Sequence, residues 1–357
     1  MRRKLLSLVL AGTVAGVGSV SWGGEALRGQ SPTGGGFFDP YVPNETSGHF
    51  EEQTGSVSWY DSPDYGMTFK AGVQWLNRSA DIADSPLIVD LPPGSATLLS
   101  TGDIDLNGQF QPGALFQLGF NFDQVSGVDL IYWGLNDFST SETVTSVNPM
   151  GLAGTLQNST VDFVFSDLFK VNYSSYIHNA EANYRQTIEG FTLLAGFRYF
   201  GLREDLNIQS RGAQTKTSSD YRVEANNNLV GGQIGGAYSW DWWRLRFTLD
   251  TKFAVAANTA SQETFLGDFG NTIVRRSYRA ESLPVSCISD SSIGTKLRLT
   301  DWLAIETAYR FMWVSNLAFA PNQLDLSNSP PGTEVMNASS DRSEEHTSEL
   351  QSQFRIS

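Results

Sequence analysis

Ten ionisable residues, Lys70, Glu181, Arg185, Arg198, Arg244, Arg246, Asp250, Lys252, Glu306 and Arg310, alternate with apolar neighbours instead of collecting in loops. Seven are basic and three acidic. Charges two or four residues apart share one face of an extended chain. There they can pair, line a polar passage, or supply an acid and a base. Acid–base work of the hydrolase kind needs a histidine beside a nucleophile. His178 falls in an alternating segment and His49 in a stretch without period, and neither stands in a nucleophile motif. No catalytic residue and no enzyme activity is therefore expected. The run Gly-Gly-Gln-Ile-Gly-Gly from Gly231 has the look of a dinucleotide loop, but no helical pattern follows it, and glycines that ease strand curvature explain it better. Glu204 with Asp205 could hold a cation, although solvated loop charge fits them better. Neither a cofactor nor a metal is implied. Cys287, the single cysteine, cannot pair within the chain and reads as a small buried residue near a strand start.

The elements that carry these charges alternate with a period of two. Met67, Phe69, Ala71, Val73 and Trp75 are interleaved with Thr68, Lys70, Gly72 and Gln74. In a strand, that puts the apolar set on one face and the polar set on the other. The period returns in Ala114, Phe116, Leu118, Phe120 and Phe122, and in Val128, Leu130 and Tyr132. Residues 176–185 follow, with Asn179, Glu181, Asn183 and Arg185 as the polar face, and then Phe191, Leu193, Ala195, Phe197 and Tyr199. Val230, Ile234 and Tyr238 alternate with glycines, and Trp243, Leu245, Phe247, Leu249, Phe253 and Val255 with Arg244, Arg246, Thr248, Asp250 and Lys252. Residues 293–299 and the set Leu303, Ile305, Tyr309, Phe311 and Trp313 bring the count to nine strands.

Ahead of the strands stands an export signal. Arg2, Arg3 and Lys4 precede an apolar run, and small residues follow, so residues 1–25 read as a signal peptide cleaved near 21–26. Residues 26–65, rich in Gly, Pro, Ser and Glu, read as a loosely ordered lead-in. A net charge of −14 excludes nucleic acid as a partner. With 17% charged residues, 34 Gly and 12% aromatics, the composition is one of strands and turns.

Short connections at 123–127, 187–190, 240–242 and 300–301 alternate with long polar ones at 77–111, 136–172, 201–227, 257–284 and from 315 onward. Short turns at one end and long loops at the other mark a transmembrane barrel. Trp240, Trp242, Trp243 and Trp302 gather at the short turns, and Trp75, Tyr199 and Trp313 near the long loops, as two interfacial girdles. Backbone groups facing lipid must all be paired, which a closed barrel achieves. The expected fold is therefore all-β, an antiparallel up-and-down transmembrane barrel of about ten strands over 66–340, in the outer membrane. Its implied partners are outer-membrane lipid and the barrel-insertion machinery. If the apolar face meets lipid, the ten charges line the lumen. An open lumen would favour anions, whereas the small bore of about ten strands favours a side-chain-filled interior. A soluble exported β protein, or a surface adhesin acting through its loops, is the alternative.

An odd count of nine leaves the closing strand unaccounted for. Residues 341–357 read as a non-native read-through tail, so the last strand is expected to be missing.

Three stretches carry a family resemblance. They are Leu-Ala-Gly-Phe-Arg-Tyr-Phe-Gly-Leu-Arg-Glu-Asp-Leu from Leu194, Asn-Asn-Leu-Val-Gly-Gly-Gln-Ile-Gly from Asn227, and Lys-Phe-Ala-Val-Ala-Ala-Asn from Lys252. Together they resemble the putative beta-barrel porin family abundant in planctomycete bacteria, over roughly residues 60–322. The resemblance implies a porin-like outer-membrane barrel with no defined substrate and no catalytic or ligand residues to carry over. The departure from the family is at the C-terminus.

Overall fold

The computed structural model describes residues 7–22, 66–80, 82–91, 96–123, 125–188, 190–299 and 304–328. They form β1 (Ser7–Trp22), β2 (Gly66–Ala80), β3 (Pro86–Asp90), β4 (Thr97–Ser100), β5 (Phe110–Asn121), β6 (Ser126–Leu135), β7 (Phe138–Val144) and β8 (Met150–Leu152). After these come β9 (Ser166–Ile188), β10 (Phe191–Gly212), β11 (Ser218–Trp242), β12 (Leu245–Asp268), β13 (Ile273–Ser282), β14 (Val285–Arg298) and β15 (Ala304–Ser315). All pairings are antiparallel, and the neighbours β1, β2, β5, β6, β9, β10, β11, β12, β14 and β15 return to β1, an all-β barrel of ten strands. The lead-in 26–65, the turn 300–301, Trp302 and the tail 341–357 lie outside the described residues.

The tenth place was expected to be empty, its strand lost beyond residue 315. It is occupied by β1, which runs between β15 and β2 in the stretch that composition assigns to the leader. A charge-free segment rich in Val, with Thr13 and Trp22, suits an extended conformation. The edges of β15 and β2 would otherwise leave a row of backbone donors and acceptors unpaired.

The segments read as long loops are largely sheet. β9, β10, β11 and β12 run for 23, 22, 25 and 24 residues. At about 3.3 Å per residue each exceeds 70 Å in contour, far more than a bilayer core of about 30 Å requires. Along β10, the outward residues Phe191, Leu193 and Phe197 are exposed, while Thr192 and Arg198 point inward and are buried. Beyond Tyr199 the chemistry inverts without a change of register. Phe200, Leu202, Leu206 and Ile208 are inward and fully buried, and Arg203 is outward and exposed. The same inversion separates Val230 from Tyr221 and Val223 on β11, and Val255 from Leu266 on β12. The apolar outer band from Phe191 to Tyr199 measures about 27 Å along the strand, close to the roughly 25 Å band of a membrane barrel.

Above the band the sheet and residues 82–91, 96–110 and 136–165 fold into an outer cap. Its core holds Leu87, Ile88, Leu106, Met150, Phe163 and Phe169, all fully buried. After Ser315 the chain turns inward as a strap. Leu317, Ala318, Phe319 and Ala320 have no exposed surface. The apex of the cap is tied by Asp162, which accepts from Thr215, Thr217 and Ser219 and from the Gly270 amide. Burial pushes this carboxyl up, but the bonds from Ser219, Thr215, Gly270 and Thr217 outweigh it and leave its pKa below the ordinary value. A depressed native pKa means that the contribution is complete above the unfolded value and is lost as pH falls through the native one. Amide exchange across residues 213–219 and 268–272 is accordingly expected to accelerate below about pH 4, with no such step in Asp162→Asn. Equal acid sensitivity in the two proteins would refute this.

Candidate functional site: the barrel lumen

The lumen is built from inward positions of the strands already described, because a period of two delivers every second residue to one face. At mid-barrel, Glu181 of β9 is the hub. Its carboxylate accepts from Lys252 Nζ at 2.9 Å, Gln233 Nε2 at 3.0 Å, and Asn179 and Asn183 Nδ2 at 3.1 Å each. Arg198 and Arg310 approach it at 3.8 and 3.9 Å. Asp290 of β14 binds the same two guanidiniums, Arg310 Nε at 2.8 Å and Arg198 Nη2 at 2.9 Å. Asp250 lies two residues before Lys252 on the same inward face. Three carboxylates thus face three cations, and the layer is neutral.

Trp133, fully buried, lies under the Arg310 guanidinium at 5.0 Å and edge-on to Phe200. Toward the short-turn end, Arg185 bonds Asp129 at 3.2 Å and also reaches Asn121. Arg246 pairs with Asp241 at 2.7 Å, and Lys70 pairs with Glu306 at 2.9 Å with each about one-fifth exposed.

Toward the cap, a second buried pair closes the bore. Arg78 donates to Glu204 at 2.6 Å and to the Tyr173 hydroxyl at 2.8 Å, and neither charged side chain has any exposed surface. The strap completes this layer, since the Ala320 amide donates to Glu204 Oε2 at 2.8 Å and the Phe319 ring lies 5.6 Å from the guanidinium. Asn227 exchanges two bonds with the Ala318 backbone, both at 2.8 Å, and Asn258 donates to the Asn316 carbonyl at 3.0 Å. Glu204, Asn227 and Asn258 thus each bond the strap from an inward position.

Nine of the ten expected lumen residues, Lys70, Glu181, Arg185, Arg198, Arg246, Asp250, Lys252, Glu306 and Arg310, occupy inward positions and meet at mid-barrel or the inner end. Arg244 is not among them. β11 runs through Trp242, so the turn falls at Trp243–Arg244 rather than at 240–242, and Arg244 is exposed with its guanidinium 5.5 Å from the Trp243 ring. Trp243 takes a left-handed φ of 58° to make that turn. Glu204 is neither a cation ligand nor solvated, because Arg78 neutralises it in the interior. Cys287 is half-buried rather than buried, on the outward face of β14.

Of the girdle residues, Trp75, Trp240, Trp242 and Trp243 are exposed, and Tyr199 and Trp313 are half-buried on the outer wall. Asp290, Asp129 and Trp133 were missed by sequence reasoning. Asp290 sits in Ile-Ser-Asp-Ser-Ser, where serines take the outward positions and erase the apolar alternation. Trp133 stands one residue beyond the apolar set Val128, Leu130 and Tyr132, on the inward face with Asp129 and Ile131, where nothing in its residue type marks a lumen contact.

Chemically, Glu181 and Asp290 are each held among cations of the mid-barrel layer, and among the described residues no carboxylate pairs with a histidine. The layer can fasten β9, β10, β12, β14 and β15 to one another across the bore. Among the described residues no cluster of three or more His, Cys, Asp or Glu is placed to hold a metal. No family model matches the chain, and no curated protein matches it either.

Proposed function

We propose that the chain is an outer-membrane β-barrel of the porin-like kind described for planctomycete bacteria, with a lumen that is structural rather than conducting. The inversion of the outer face at Tyr199 and Phe200 carries this reading. Below it, the wall presents Phe, Leu, Val and Ile outward over a bilayer-sized height; above it, the same strands present polar residues outward and hide their apolar ones. A chain that met only water would have no reason to change sides. A soluble exported protein would also need the face of Phe116 to Phe122 and that of Leu249 to Val255 to meet in one core, yet both lie exposed on the outer wall. The filled bore argues against a defined solute, and lipid and the insertion machinery are the partners this reading requires.

Washing membranes with detergent-free urea is expected to leave the protein in the outer-membrane fraction, and its release would overturn the proposal. Phe253→Arg, near the middle of the outer band, is expected to cost about 2–4 kcal/mol in lipid-vesicle unfolding. The same change at Thr259, above the band, is expected to cost far less. Equal effects at the two positions would mean that no bilayer covers the wall.

A further inference from the structure

The outer band is not equally apolar all the way round. On β2, β5, β10 and β11 its outward residues are apolar or glycine. On β14 the outward place between Phe253 of β12 and Trp313 of β15 is Ser289, and the next one down, between Thr251 and Phe311, is Ser291. Lower still, Thr295 stands opposite Thr307 of β15. Five serine and threonine hydroxyls thus gather on three neighbouring strands. Thr251 and Ser291 bond each other at 2.7 Å, whereas Ser289, Thr295 and Thr307 have no side-chain hydrogen bond among the described residues. Thr251 and Thr307 are exposed. Lipid offers a hydroxyl no partner, so a patch of this kind is costly unless protein covers it.

Charged residues stand directly above the patch. Beyond Leu283 and Pro284, β13 continues the line of β14 along β12. Its outward Arg279 and Glu281 side chains are 63% and 61% exposed and pair with each other at 2.8 Å. Glu263 of β12, also exposed, lies opposite Arg279.

We propose that this side of the barrel, from β12 to β15, is the interface with a second copy of this chain in the outer membrane, an inference that rests on the membrane reading above. A hydroxyl both donates and accepts, and the rungs above hold both signs of charge. Such a surface contains both halves of every contact it can make, which is what a two-fold interface requires. All copies enter the membrane the same way up. A two-fold axis along the bilayer normal therefore sets hydroxyls against hydroxyls within the band and Arg279 against the partner's Glu263 and Glu281 above it. A neighbour of uniform charge would satisfy only half of the upper rungs, and lipid none of the hydroxyls.

Single-molecule photobleaching of the labelled, folded barrel in lipid vesicles, followed as protein is diluted in lipid, tests the assignment. Wild type is expected to bleach in two steps. The combined variant Ser289→Ala, Ser291→Ala and Thr307→Val removes hydroxyls at nearly constant size and is expected to weaken the dimer about tenfold. Arg279→Glu and Glu281→Arg copies are each expected to dimerise less than wild type alone and to pair with one another when mixed. A monomeric wild type, a dimer indifferent to the loss of the hydroxyls, or charge variants that pair no better mixed than alone would each overturn the assignment. A monomer that resists urea extraction refutes this interface alone, whereas release by urea refutes the reading beneath it.

Discussion

Glu181→Gln is expected to lower the stability of the folded barrel by about 3–5 kcal/mol, the usual consequence of removing one partner from a buried ionic cluster. The side chain stays the same size and keeps an oxygen for one of its amide donors. What disappears is the charge against which Lys252, Arg198 and Arg310 are buried, leaving three cations to two carboxylates. In a low-dielectric interior the excess charge is costly because neither water nor salt screens it. The measurement is the urea midpoint of the folded band in lipid vesicles, with far-UV circular dichroism as a second probe. A loss below about 1 kcal/mol would mean that water reaches the cluster freely, and the bore would then have to be regarded as open. Conductance separates the two cases, since the closed lumen predicts no steady current through wild type in a planar bilayer.

The second large effect is expected at the upper closure. Glu204→Ala removes the carboxylate bonded to Arg78 and the acceptor of the Ala320 amide, at positions with no exposed surface. The expected cost is again about 3–5 kcal/mol, and it should be concentrated in the cap. Amide exchange at residues 316–326 should rise well before that of the β9–β10 ladder. The informative comparison is the double replacement Arg78→Met with Glu204→Leu. It removes both charges and keeps the volume, and a buried pair replaced in this way is often neutral or stabilising. The double variant is therefore expected to recover most of what Glu204→Ala loses, apart from the hydrogen bond to the strap, worth about 1 kcal/mol. If single and double variants are equally unstable, the pair contributes through geometry that methionine and leucine cannot supply, and the charge argument fails.

Much of the architecture could be read from the residues in order. The alternation of Phe191, Leu193, Ala195 and Phe197 with Arg198 two rungs before the inversion marks both a strand and its two faces, because the period of two is a property of the extended backbone itself. The lumen set follows directly, and Arg244 failed only because the β11–β12 turn lies two residues later than the tryptophans suggested. The 201–227 and 257–284 segments read as loops because they are polar at outward positions and apolar at inward ones, the reverse of the wall below. Sequence alone cannot say which face of a strand is the inner one. That depends on whether lipid or water stands outside, and the answer changes within a single strand.

What the sequence determined by itself, then, is an antiparallel all-β chain with one polar and one apolar face per strand and short turns at one end. Local backbone geometry and side-chain period are sufficient for that. Only the tertiary structure decided which charges meet. Glu181 and Arg310 lie on strands far apart in the chain, as do Arg78 and Glu204, and the strap finds Asn227 and Asn258 only once the ring has closed. Curling the sheet brings inward positions of distant strands within hydrogen-bonding distance, and burying them there requires every charge to find an opposite one.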